Sequence, residues 1–151
     1  LAIAVGPALA VDTTPAPAPA PASAARAAPT ASMANARTLI AAEKWAAAIS
    51  ELERVNDTAN ADWNNLMGYS LRKGKKGNWA ASEKYYDAAL RINPQHRGAL
   101  EYSGELYLSM DDLPKAEQRL AALGQACGSS CPEYLELKTA VENYKSGSKK
   151  S

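Results

Sequence analysis

The sequence predicts an all-α protein, an α-solenoid of three helix-turn-helix repeats with a C-terminal capping helix, preceded by an extended Pro/Ala-rich tail. Three observations carry this. Apolar residues recur at helical spacing from about Met33 to about Tyr144, no stretch alternates as a strand would, and one set of positions returns every 34 residues.

Residues 1–10, LAIAVGPALA, are apolar and end in Ala8-Leu9-Ala10, the small-x-small pattern that a signal peptidase accepts. They are too short to span a bilayer, and read as a signal-peptide remnant or as a plain apolar N-terminal segment. Residues 11–32 are mostly Pro, Ala, Thr and Ser, with strict alternation from Pro15 to Pro21. Each proline fixes φ and biases its predecessor toward the extended region, so a polyproline II linker is expected. Such a stretch serves as a tether, or as a ligand for a groove, because little entropy remains to be lost.

Helices are expected at about 33–43, 46–56, 60–73, 78–91, 96–109, 113–126 and 132–145. With 151 residues the chain has room for one compact domain, and its formal charge of +1 gives no global attraction to nucleic acid or an acidic membrane. Phe is absent; three Trp, seven Tyr and many Leu and Ala supply the core.

Aligning the second helix of each pair puts Trp45, Ala48, Leu52 and Val55 over Trp79, Ser82, Tyr86 and Ala89, and these over Leu113, Ala116, Leu120 and Leu123. The leading helices follow with Ala36 and Leu39, Gly68 and Leu71, and Gly104 and Tyr107. A small residue lets paired helices approach, and a bulky one fills the space beside it. Asn60, Pro94 and Gly128 stand at the turns between repeats as expected helix terminators. Across residues 33–128 this pattern resembles the tetratricopeptide repeat family. The third repeat is the closest match; the second has Ser82 where Ala is usual and two extra residues in the turn Arg72 to Gly77; the first lacks the Gly and aromatic of its leading helix. Residues 129–145 read as a cap, with Tyr134, Leu135, Leu137, Val141 and Tyr144 turned inward and Glu133, Glu136, Lys138, Glu142 and Asn143 in water. Residues 146–151 read as a flexible tail.

The resemblance implies a concave groove, lined by the leading helices, that receives a peptide of a protein partner. Its positions carry over to Arg37 in the first repeat, Asn65, Tyr69, Arg72 and Lys73 in the second, and Glu101, Glu105 and Leu108 in the third. Tyr69 is the expected anchor, since an aromatic flanked by polar groups is a common hot spot. Some family members grip a terminal carboxylate with Lys, Asn and Arg. Here Asn64 and Asn65 fit that set, whereas Glu101 and Glu105 put negative charge where basic groups would be needed.

Cys127 and Cys131, four residues apart, are expected to form a disulfide in an exported protein, periplasmic or extracellular; free thiols are the alternative. Two thiols with no nearby His do not complete a zinc shell, and Pro132 after the second cysteine excludes the haem-attachment motif, so no metal and no cofactor is expected. His96, the only histidine, reads as an exposed turn residue without a nucleophile to serve. Asp111-Asp112, Glu51 and Glu53 read as solvated charge, and the Arg72 to Lys76 cluster as a basic turn favouring a helix C-terminus. No catalytic residue is found. The leading expectation is a non-catalytic interaction scaffold. The alternative is a self-assembling, filament-forming protein whose N-terminal tail docks on a neighbouring copy, since head-to-tail contacts that do not close make filaments.

Overall fold

The computed structural model describes residues 31–74 and 77–147. The apolar segment 1–10, the Pro/Ala stretch as far as residue 30, Lys75 and Lys76 of the basic turn, and residues 148–151 lie outside the described residues. Among the described residues there are seven helices and no strand: α1 (Met33–Ala41), α2 (Trp45–Val55), α3 (Ala61–Lys73), α4 (Trp79–Ile92), α5 (Arg97–Ser109), α6 (Leu113–Cys127) and α7 (Pro132–Lys145). Each lies where the periodicity predicts it.

Local chemistry sets the helix ends. Ser32 Oγ accepts the Asn35 N–H, Asn78 Oδ1 the Ala81 N–H, and Asp112 Oδ1 the Lys115 N–H, each relieving one of the unpaired donors of a first turn. Asn60 does not terminate α2, as expected from sequence, but starts α3: its Oδ1 accepts the N–H groups of Asp62 and Trp63. The residue that ends α2 is Asn56, left-handed at φ 50°, while Gly128 at φ 80° does end α6. The turns within the hairpins keep the repeat period in their backbones. Glu43, Gly77 and Asp111, spaced 34 residues apart, all have positive φ (54°, 26° and 60°). The second turn, two residues longer, therefore keeps the same register at its end, where glycine stands at the left-handed position.

The leading helices form one layer, α1 against α3, α3 against α5 and α5 against α7, while α2, α4 and α6 pack outside them. Among the described residues the backbones of the outer helices stay apart, and α4 and α6 meet only through their side chains. The pairs interlock small against large. A Cβ at Gly68 would sit 2.8 Å from the Tyr86 ring, and one at Gly104 would sit 2.5 Å from Leu137. Ala48, Ala116 and Ser82 are fully buried. Ser82 is tolerated at an alanine position because its Oγ donates to the Asn78 carbonyl one turn back, at 3.0 Å.

Two core expectations are corrected. Trp79, the first residue of α4, is 43% exposed: its indole lies back over Gly77 rather than between helices. On α7 the buried stripe runs through Tyr134, Leu137 and Val141 at three- and four-residue spacing, which leaves Leu135 off the stripe and exposed. Cys127, the last residue of α6, and Cys131, just before α7, form a disulfide with Cα atoms 6.0 Å apart. No helix among the described residues is long and apolar enough to cross a membrane.

Candidate functional site

A ladder of rings runs from the first residue of α2 onto the leading helices α3 and α5. Trp45 meets Tyr69 edge-on at 5.9 Å, and Tyr69 meets Tyr102 at 4.6 Å with planes tilted by 42°. Arg72 lies across it, its Cζ 5.6 Å from the Tyr69 ring and 5.8 Å from the Tyr102 ring, and its guanidinium donates to Glu105 Oε2 at 2.6 Å. Helix geometry dictates this: Tyr69 and Arg72 are three apart on α3, Tyr102 and Glu105 three apart on α5, so each pair shares a face and the pairs meet where α3 and α5 pack. Lys73 stands at the rim, its Nζ 6.0 Å from the Tyr69 ring. Burial raises the phenol pKa of Tyr69, and burial and then the Glu101 charge push Tyr102 up to about 12, so both rings stay neutral hydrogen-bonding faces at physiological pH.

Below this ladder the polar groups are buried. The Asn65 side chain has an unpaired Oδ1, and Gly98 lets α5 come close to it, since a Cβ there would stand 3.0 Å from Asn65 Nδ2. Tyr86, behind Gly68, has a fully buried hydroxyl with no partner among the described residues, and burial drives its pKa up.

Glu101 is not the open groove carboxylate that the sequence suggests; it is only 4% exposed. Its pKa is raised well above the ordinary carboxylate range, first by burial, then by a hydrogen bond to Glu136 on α7 and by the charges of Glu136, Glu105 and Glu133. Glu101 thus keeps its proton against the neighbouring carboxylates, and Glu136 faces it from α7 while staying exposed, as the sequence predicts.

The remaining predicted residues fall elsewhere. Arg37 pairs with Asp62 at 2.9 Å, at the start of α3. Leu108 packs with Leu100, Leu137 and Val141 in the core under α7. The structure therefore brings together Tyr69, Arg72, Lys73 and Glu105, sets Asn65 and Glu101 beneath or beside them, and leaves Arg37 and Leu108 apart. Sequence reasoning missed Tyr102, although Tyr-x-x-Arg on one leading helix and Tyr-x-x-Glu on the next is a readable signal.

It also misjudged His96. Its side chain is 12% exposed, Nδ1 accepts the Ala99 N–H as the cap of α5, and Nε2 faces Asp62 Oδ1 at 2.8 Å. Because Nδ1 accepts, the proton belongs on Nε2, which donates to Asp62. That bond first, and then Arg37, hold the Asp62 carboxyl below its usual range against the opposing effect of burial. Arg37, Asp62 and His96 thus tie three successive leading helices together.

Side-chain ligand atoms of Cys127, Cys131 and Glu133 lie within 4.8 Å of one another, but the two sulfurs are consumed in the disulfide, which leaves no thiolate for a metal.

The family model for the tetratricopeptide repeat matches residues 75–141, from the turn before α4 into α7. No curated protein matches the sequence.

Proposed function

We propose that this chain, whose residues 75–141 match the tetratricopeptide repeat, is a non-catalytic scaffold whose inner face holds an extended segment of a partner protein. The observation that carries the reading is the Trp45–Tyr69–Tyr102 ladder with Arg72 laid across two of its rings. Rings and a guanidinium fixed before a partner arrives lose little entropy on binding, and half-buried aromatics with polar neighbours are the commonest anchors. The face is also polarised. Lys73 stands at the rim on α3, and Glu105 and Glu136 stand on α5 and α7. This supports a partner segment that lies in one direction, with acidic groups toward α3 and basic groups toward α7. Residence in an oxidising compartment, periplasmic or extracellular, belongs to the same reading and is supported by the disulfide and by Ala8-Leu9-Ala10.

The test is affinity capture with the full chain and its Tyr69→Ala variant. Loss of a hot-spot ring costs about 2 kcal/mol or more, roughly thirtyfold in affinity, which removes a specific partner from the retained set. If both forms retain the same proteins, the inner face is not the binding site.

A further inference from the structure

The outer layer holds a second feature, independent of the inner groove. On the face of α4 turned toward the first repeat a cavity of about 400 Å³ opens, lined by Thr58 of the α2–α3 turn, Trp63 and Asn64 at the start of α3, and Ala81, Tyr85 and Ala88 of α4, with Lys84 at its side. Trp63 and Tyr85 meet edge to face at 5.8 Å and give it an aromatic wall, and the two alanines leave room in front of that wall. Trp63 is held rigidly, its indole N–H donating to the Leu52 carbonyl at 2.8 Å.

We propose that this cavity is the docking site of the chain's own Pro15–Pro21 segment. Two arguments select this occupant. The first is chemical. Alternating Pro and Ala offers a preformed extended helix with apolar rings on its flanks, and aromatic-walled grooves take such segments at little entropic cost. Seven residues in that form span roughly 20 Å. The second is where the tail joins the fold. The Ser32 N–H donates to Glu51 Oε1 at 2.9 Å, and Asn35 Nδ2 reaches the same oxygen at 3.2 Å, which fixes the entry of the chain. Next in line, Met33 packs in the same apolar cluster as Trp63 and Tyr85. The tail therefore leaves beside the cavity. Ten residues separate Pro21 from Ser32, and at ~3.3 Å each they reach up to roughly 33 Å. At that tether length the effective concentration is in the millimolar range, so even a weak intrinsic affinity fills the site.

The experiment uses the full chain with a nitroxide on Ala22→Cys, the native cysteines being paired, and reads paramagnetic broadening of the Trp63 indole N–H and the Tyr85 amide. Broadening is expected in the parent. It is expected to be lost when Pro15, Pro17, Pro19 and Pro21 are all replaced by glycine, changes that leave the folded helices untouched. It is also expected to be lost in Ala81→Lys, which places a charge in the cavity mouth. Absence of broadening in the parent overturns the proposal, as does broadening that survives both changes. A mixture of spin-labelled unenriched chain and unlabelled isotope-enriched chain separates the sources. Broadening that appears in the mixture overturns docking within one chain and points instead to a second copy.

Discussion

Two gaps flank α4, one on each side, and the protein treats them oppositely. Between α4 and α6, Arg119 reaches Asp87 at 3.1 Å and Lys115 reaches Glu83 at 3.7 Å, while both cations lie over Tyr107, at 5.6 and 4.8 Å. Tyr107 itself donates to Glu83 at 3.1 Å. Moving each of these one repeat back gives Tyr85 for Arg119, Glu53 for Asp87, Ala81 for Lys115, Ile49 for Glu83 and Leu71 for Tyr107. Both cations of the bracket are gone, and only one of its two acids keeps a charged counterpart. The backbone repeats and leaves equivalent spaces; the side chains decide whether a space is closed by ion pairs or left for a ligand.

The largest effect should come from the wall of the open gap. Trp63→Ala removes a buried indole and its bond to the Leu52 carbonyl, and the cavity already in front of it prevents a tight collapse. A loss of about 3–5 kcal/mol is expected, read as the drop in midpoint of chemical unfolding. A loss below about 1 kcal/mol would mean that this region is not a packed part of the core.

A second contrast lies between opposite charges on the outside and like charges at α5–α7, and pH separates them. The folded-state pKa of Glu101 is raised, so the folded protein holds a proton that the unfolded chain has already released. Stability from this site is full below the ordinary carboxylate value of about 4.5 and is lost as pH rises through neutrality toward the raised value. Thermal midpoints should fall over that range, and Glu101→Gln, which keeps a neutral hydrogen-bonding group beside Glu136, should flatten the profile. Each unit of displacement is worth about 1.4 kcal/mol, so the effect is expected to exceed 1 kcal/mol. A parent profile as flat as that of the variant would mean that Glu101 does not retain its proton in the folded state.

Much of this could be read in the chain, and the failures have a common cause. Helix positions follow from apolar periodicity and from caps such as Asn78 and Asp112, which are local. Gly68 and Gly104 are small because their partners, Tyr86 on α4 and Leu137 on α7, are bulky. What a single position cannot show is a neighbour a full repeat away. His96 looks exposed until Asp62, 34 residues earlier, is brought to it. Glu101 looks like a groove carboxylate until α7 covers it, and Tyr102 looks unremarkable until Tyr69 stacks on it. Leu135 and Trp79 fail the other way: apolar character placed them in the core, but Leu135 is kept outside by its angular position on α7, and Trp79 by lying at the first residue of α4 with its indole folded back over Gly77.

Within the closed gap the two cations should not count equally. The Arg119 side chain is 24% exposed, and its planar group both pairs with Asp87 and stacks on Tyr107; Arg119→Ala is expected to cost about 0.5–1 kcal/mol, less at high salt. Lys115 is about half exposed and divides its contacts between Glu83 and Asp112. A long, solvated side chain gives up in entropy much of what such contacts return, so Lys115→Ala should leave the thermal midpoint unchanged. The two variants measured side by side, at low and at high salt, decide whether the bracket works through its planar, stacked arginine or through charge count alone. An equal loss from both, abolished by salt, would favour charge count, and would mean that the apolar gap differs from the charged one only in electrostatics.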